Sequence, residues 1–141
     1  MTEAQGSTMK WTSLVLFNAF ALFTTLSQAQ TPATRSEEIK FAPGTSSTTV
    51  TATIKGYDTV DYTLEAKEGQ EMTIKLEPMP SSLVFTVSAP GASEAMDNAS
   101  MVTDFSRRLP ASGKYVIRVG LMRNDARRNI AKKYSLAVTI K

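Results

Sequence analysis

Cysteine and histidine are both absent from the 141 residues. The chain can therefore form no disulfide, no Cys/His zinc site, no thiol or imidazole nucleophile and no imidazole general base. Catalysis would be left to carboxylates, lysine or tyrosine. No such group stands beside a recognisable base, because the acidic residues are scattered through strand ends and turns. Neither an enzyme nor a cofactor or metal site is expected. What remains, 42% hydrophobic and 21% charged residues with seven glycines and six prolines, is ordinary for a globular protein, and the length suits a single domain.

Long hydrophobic runs are lacking as well. The longest, Leu14–Leu26, is broken by Asn18 and Thr24-Thr25 and falls short of the roughly 20 residues that span a bilayer. It follows Lys10 and Trp11 and ends in Ser27-Gln28-Ala29, which puts small residues three and one before a cleavage point. Residues 1–29 therefore read as a secretory signal peptide. Glu3 is out of place in a positive leader, which makes Met9 the expected start. Residues 30–141 would be one exported domain. With no cysteine near the cleavage point there is no lipid anchor, so no membrane attachment is expected, and a bacterial periplasm fits best. In a eukaryotic secretory route Asn98-Ala99-Ser100 would be a glycan acceptor; otherwise the triplet is an accidental match in a polar loop.

Beyond a polar lead-in, the hydrophobic period is two almost everywhere, the mark of strands with one buried face. Val50, Ala52 and Ile54 alternate with Thr49, Thr51 and Thr53; Val60, Tyr62 and Leu64 alternate with Asp61, Thr63 and Glu65. Met72-Ile74-Leu76, Leu83-Phe85-Val87, Tyr115-Ile117-Val119-Leu121 and Tyr134-Leu136-Val138-Ile140 repeat the pattern. Ile39 with Phe41 suggests a seventh strand and Met101 to Phe105 an eighth. Turn residues separate them at Gly56-Tyr57-Asp58, Lys67-Glu68-Gly69, Ala89-Pro90-Gly91 and Pro110–Gly113. Seven or eight short strands without a long helical pattern predict an all-β, antiparallel β-sandwich.

Two segments leave the pattern. Gly91 to Asn98, rich in alanine, serine and acid, reads as a surface loop. Met122 to Lys133 joins two strongly alternating strands through about ten polar residues, far more than a hairpin needs. If it makes a helical turn, Arg123 and Arg127 share one face, with Asp125 and Arg128 turned elsewhere. Charge is uneven too. Residues 31–100 hold five Lys or Arg against ten Asp or Glu, net −5, whereas residues 101–141 hold ten against two, net +8. Such a basic segment suits nucleic acid, anionic lipid, sulfated polysaccharide or the carboxylates of another protein, or is simply solvated. Export disfavours nucleic acid. Arginine's planar fork, set in an over-long loop, favours carboxylates.

The turn Lys55-Gly56-Tyr57-Asp58 carries an aromatic at the expected tip of a hairpin. Tyr57 is either an exposed anchor or a lid on the end of the sandwich. Asp58 and Asp61 without further ligands make neither a calcium site nor an acid–base pair; Asp58 is expected to stabilise the turn.

The run Ile54–Asp58, with Asp61-Tyr62-Thr63 and Gly69-Gln70, resembles the first half of the periplasmic inhibitors of goose-type lysozyme. Leu109–Tyr115, Arg118-Val119, Arg123–Asn129 and Lys132–Tyr134 resemble the second half. The Arg-Asn-Asp-Ala-Arg segment is the specific part, and Pro78 to Phe105 shows no likeness. The resemblance implies a mostly β inhibitor whose partner is a goose-type lysozyme and which pushes two loops into the enzyme's groove. Those loops would be the turn with Tyr57 and Asp58 and the loop with Arg123, Asn124 and Arg127. It further implies a pocket on the inhibitor that receives a lysozyme loop, with no lining assignable here. The alternative is an exported sandwich that binds cell-surface carbohydrate, similar to small domains of secreted bacterial peptidases that share the Gly-Gln turn and the Ser-Gly-x-Tyr strand entry.

Because Trp11 is the single tryptophan, the exported chain should show tyrosine emission alone. Tryptophan emission from protein recovered after export would mean that the leader is retained.

Overall fold

The computed structural model describes residues 31–141; the expected signal peptide lies outside the described residues. Eight strands and one short helix follow in order: β1 (Thr34–Glu38), β2 (Ser47–Lys55), β3 (Thr59–Ala66), β4 (Glu71–Glu77), β5 (Leu83–Ser88), β6 (Asp104–Arg108), β7 (Gly113–Leu121), α1 (Arg123–Arg127) and β8 (Ala131–Ile140). They form two four-stranded sheets with strand orders β1-β3-β7-β5 and β2-β8-β4-β6. Every pairing is antiparallel except β1 with β3. The expected β-sandwich is thus what forms.

The alternation explains the layers. Val60, Tyr62 and Leu64 of β3, Leu83, Phe85 and Val87 of β5 and Tyr115, Ile117 and Val119 of β7 are buried on one inner face. Met72, Ile74 and Leu76 of β4 and Tyr134, Leu136 and Val138 of β8 are buried on the other. Removing such side chains from water is worth roughly 1.5–3 kcal/mol each, which is what drives the sheets together. Between them, Thr and charged residues face solvent.

Several expectations shift. The seventh strand is Thr34–Glu38 rather than the Ile39–Phe41 region, and all five of its residues are exposed. It is a strand because its backbone pairs with β3, a cause that leaves no hydrophobic period. Ile39, just beyond it, is buried and donates its N–H to the Thr63 carbonyl at 2.8 Å. The eighth strand begins at Asp104 rather than Met101 and runs on to Arg108, since Arg107 occupies a half-buried position and donates to the Asp97 carbonyl at 2.7 Å. The Gly91–Asn98 loop is less peripheral than expected. It leads into Ala99, which is fully buried, and Val102, whose N–H and carbonyl both bond to Phe85, so the segment covers the free edge of β5. Asn98, in the triplet read as a possible glycan acceptor, is exposed with φ 55°.

Two tyrosines join the sheets through the core. Tyr62 of β3 and Tyr134 of β8 share a hydroxyl–hydroxyl bond of 2.7 Å, and both side chains are buried. Burial disfavours the phenolate and raises both above the ordinary tyrosine value. The Tyr134 hydroxyl bond pulls Tyr62 back down in part, as does Arg35, while Glu37 pushes it up; for Tyr134, the bond to Tyr62 adds to the rise.

Since the folded state holds these protons to higher pH than the unfolded chain, the pair's contribution is complete below the unfolded tyrosine value near 10. It is lost as pH climbs above that. Chemical denaturation should show stability falling above pH 10 more steeply in the native chain than in Tyr62→Phe/Tyr134→Phe. At neutral pH, Tyr134→Phe alone should cost about 1–3 kcal/mol, because it strands the buried Tyr62 hydroxyl, and more than the double variant. A flat comparison above pH 10 would show that the pair does not carry the alkaline transition.

Candidate functional site

The turn Lys55–Asp58 does not close a hairpin. β2 and β3 lie in different sheets, so the turn is an arch across one end of the sandwich. The hydrophobic alternation passes from Ile54 in one layer to Val60 in the other. The Asp58 N–H donates to the Lys55 carbonyl at 3.1 Å, and Gly56 takes φ 61°, a conformation open to glycine at little cost. Tyr57 stands 51% exposed at the crest, so it is no lid. The Asp58 carboxylate reaches away from the turn and accepts the Ala33 N–H at 2.9 Å, tying down the chain entering β1. Asp61 is engaged elsewhere: Arg118 binds it bidentately at 2.6 and 2.8 Å across the β3–β7 pair. That hydrogen-bonded carboxylate raises the Arg118 pKa further, against a smaller opposing effect of burial.

The long loop does hold a helical turn. α1 spans Arg123–Arg127, with the Ala126 N–H donating to the Met122 carbonyl at 3.0 Å. It ends when Asn129 adopts φ 55°, so that the N–H of Asn129 bonds back to Ala126 and that of Ile130 to Asp125. This is the left-handed stop that asparagine tolerates better than other side chains do. The loop is shorter than the sequence suggested, because β8 starts at Ala131 instead of Tyr134. Lys132 fills an inward position there and is half-buried. A hydrophobic period cannot register a lysine.

One face of α1 is spent on the fold. Ala126 is buried. Asp125 accepts a hydrogen bond from the Ser82 hydroxyl at the entry to β5, and both Arg128 and Lys132 approach its carboxylate at 3.8 Å. The Met122 N–H donates to the Ser82 carbonyl at 2.7 Å. The other face carries Arg123, Asn124 and Arg127, all exposed. Among the described residues neither Arg123 nor Arg127 enters an ion pair. The half-exposed Met122 stands beside them.

The arch and the helical loop meet. The Gly56 N–H donates to the Ile130 carbonyl at 3.0 Å, and a Cβ built on Gly56 would lie 2.6 Å from the Asn129 side-chain oxygen and 3.7 Å from the Ala126 carbonyl. Residues some seventy positions apart in sequence are thus brought to one end of the sandwich: Tyr57 on one loop, Arg123, Asn124 and Arg127 on the other. Sequence reasoning missed Asn129, whose only signal is an asparagine after a basic helical turn. It also missed Ser82, for which a long-range contact leaves no local signal. A cavity of about 730 Å³, lined in part by Phe41, Ala66, Lys67, Gln70 and Ile140, opens at the opposite end of the sandwich and includes none of these residues.

Fold and site together define a small β-sandwich that exposes a tyrosine and, among the described residues, two arginines without ion pairs at one pole. No family model matches the chain. It is 33% identical over 127 residues to the inhibitor of g-type lysozyme of Escherichia coli K12, covering 87% of this chain and 94% of that protein. Among solved structures it is 40% identical to Aeromonas hydrophila PliG, a periplasmic inhibitor of g-type lysozyme, with a TM-score of 0.71 over 79% of this chain and 100% of that one. Salmonella Typhimurium PliG, described in the same terms, is 32% identical with a TM-score of 0.63 over 76% of this chain and 98% of that one. The chain belongs to the family of periplasmic inhibitors of g-type lysozyme.

Replacing Gly56 by alanine should cost about 1–2 kcal/mol, the penalty of a side chain in the left-handed region. Adding Asn129→Gly, which clears the crowded oxygen and suits the φ of 55° there, should recover only part of the loss. Full recovery in thermal unfolding would assign the cost to the contact instead of the backbone.

Proposed function

We propose that this chain, once residues 1–29 have been removed on export, acts in the periplasm as a single domain of residues 30–141. There it would inhibit a goose-type lysozyme and protect the cell wall. The observation that carries the reading is the joined pole, where the loop with the exposed Tyr57 and the loop with Arg123 and Arg127, which make no ion pair among the described residues, are tied together by the Gly56–Ile130 bond and the close approach of Asn129 to Gly56.

The chemistry suits a glycosidase groove, which is built around a carboxylic acid and a sugar chain. An arginine entering the groove makes charge-assisted bonds to a carboxylate and lowers its pKa, which removes it as a general acid. Tyr57 offers one flat apolar face and a hydroxyl, much as a sugar ring does. Asn124 adds a donor and an acceptor beside the arginines, and Asp58, whose carboxylate takes the Ala33 N–H, serves the interface by steadying the arch that carries Tyr57. Tyrosine and arginine are also the residues most often dominant in interfaces.

Titrating the exported protein against goose-type and chicken-type lysozymes on a cell-wall substrate should abolish goose-type activity near equal stoichiometry and spare the chicken-type enzyme. Arg123→Ala or Arg127→Ala should weaken inhibition by about 2 kcal/mol or more, roughly thirtyfold, part of it the cost of stranding the partner carboxylate. Lys75→Ala, exposed on β4, should leave it unchanged. Equal inhibition by all three variants would remove the arginines from the mechanism. Binding to peptidoglycan without inhibition of either enzyme would favour the carbohydrate-binding alternative.

A further inference from the structure

The chain passes between the sheets three times at the pole that holds Tyr57. β2 crosses to β3 through residues 56–58, β7 to β8 through residues 122–130, and β4 to β5 through residues 78–82. The last crossing belongs to the same end because Glu77 closes β4 opposite Ser135, near the start of β8, and Leu83 opens β5 opposite Leu121, where β7 ends. The strand orders run β3-β7-β5 in one sheet and β2-β8-β4 in the other. The three crossings therefore lie side by side, with the arginine loop in the middle, Tyr57 on one flank and residues 78–82 on the other.

The third crossing is tied to the middle one. The Met122 N–H donates to the Ser82 carbonyl at 2.7 Å, the Ser82 hydroxyl donates to Asp125 of α1, and the Ser81 hydroxyl accepts the Leu83 N–H at 3.0 Å. Pro78 and Pro80 restrict φ on either side of Met79, so the backbone there has little freedom to lose on binding. Pro78, Met79 and Pro80 are all exposed. Among the described residues four large hydrophobic side chains stand exposed, and three of them, Tyr57 at 51%, Met79 at 50% and Met122 at 41%, belong to the crossings of this pole. The fourth, Met101, lies on the segment that covers β5, where its N–H donates to the Thr86 hydroxyl at 3.2 Å. A single exposed apolar side chain needs no explanation, but three that frame two cations do.

We propose that residues 78–82 form a third contact loop of the inhibitor, in which Met79, together with Met122, packs against the apolar wall of the lysozyme groove beside the acid that the arginines meet. The inference rests on the reading above that this pole enters the groove, so the occupant is the goose-type lysozyme itself. A cleft that holds a ligand is lined mostly by apolar side chains around a few polar groups. An unbranched thioether adapts to such an irregular wall better than a branched side chain does. Tyr57 covers one flank of the cations and the methionines cover the other, which shuts water out of the contact between arginine and carboxylate. A lower local dielectric strengthens that contact, and surrounding contacts that exclude water are what allow a few residues to dominate an interface. The methionines thus act twice, through their own burial and by drying the arginines.

Titrating the exported protein and its variants against goose-type lysozyme on a cell-wall substrate tests this. Met79→Ala should weaken inhibition about tenfold, the order expected when most of an apolar side chain no longer leaves water. Met79→Leu, which keeps apolar volume, should stay within about threefold of the native chain. Met79→Gln, of similar length but polar, should lose at least as much as Met79→Ala. Adding Met122→Ala to Met79→Ala should weaken inhibition further. Met101→Ala, equally exposed but away from the pole, should inhibit like the native chain. Thermal unfolding should be the same in all of them, because none of these side chains is in the core. Loss of inhibition in Arg123→Ala and Arg127→Ala with none in Met79→Ala or Met79→Gln would overturn the third loop and leave the reading of the pole intact. No loss in any of the arginine or methionine variants would remove the pole and the third loop together. Equal losses in Met79→Leu and Met79→Gln, or in Met101→Ala and Met79→Ala, would also overturn the proposal.

Discussion

The backbone bond from Gly56 to Ile130, at 3.0 Å, fixes the geometry of the pole. It extends the β2–β8 ladder one step past the last strand residue, at the point where the chain must leave one sheet for the other. A residue without a Cβ sits there at the least cost. The position takes a positive φ, and a Cβ there would crowd the Asn129 side-chain oxygen at 2.6 Å. The arch is thereby tied to the helical loop, so the backbones that carry Tyr57 and the arginine face are linked to the sandwich and to each other. A surface ordered before binding pays less entropy when it docks.

Asp125 then sorts the basic residues of that loop into two groups. Arg123, Arg127, Arg128, Lys132 and Lys133 crowd the stretch around it, and a loop of free cations would repel itself. Its carboxylate, with a side chain only 15% exposed, takes the Ser82 hydroxyl and lies within 3.8 Å of both the exposed Arg128 and the half-buried Lys132. Arg123 and Arg127 are left on the opposite face, four residues apart. At 3.8 Å and near the surface each pair with Asp125 adds little energy. Its value is positional: it gives Arg128 and Lys132 an acidic neighbour and leaves Arg123 and Arg127 without an ion pair among the described residues.

The architecture was legible wherever a side chain's burial and its strand position say the same thing. Six strands announce themselves through Val, Ile, Leu, Phe and Tyr at alternate positions, and the arginine pair of α1 through its spacing of four. What could not be read has a common cause, namely positions held by backbone or polar contacts to distant residues. β1 is a strand through its ladder with β3 alone, and β8 begins three residues early because Lys132 uses its stem inward and its ammonium on Asp125. Ser82 meets Asp125 across forty-three positions of sequence. The arch was misread as a hairpin because a turn between two alternating strands looks alike whether or not they share a sheet.

This division of labour also explains why the pole can be rich in unpaired charge without weakening the sandwich. The core among the described residues contains no buried charged group, and its one prominent polar feature, the Tyr62–Tyr134 bond, satisfies itself. The net charge of +8 in the last forty-one residues is therefore carried at strand ends, on outer faces and on α1, where water screens it. Unlike a buried ion pair, an exposed arginine here has no partner to lose when it leaves water for a carboxylate in another protein. If the arginines dock as proposed, that carboxylate must offset most of their desolvation, so the pole should discriminate between a groove that holds an acid at the right depth and one that does not.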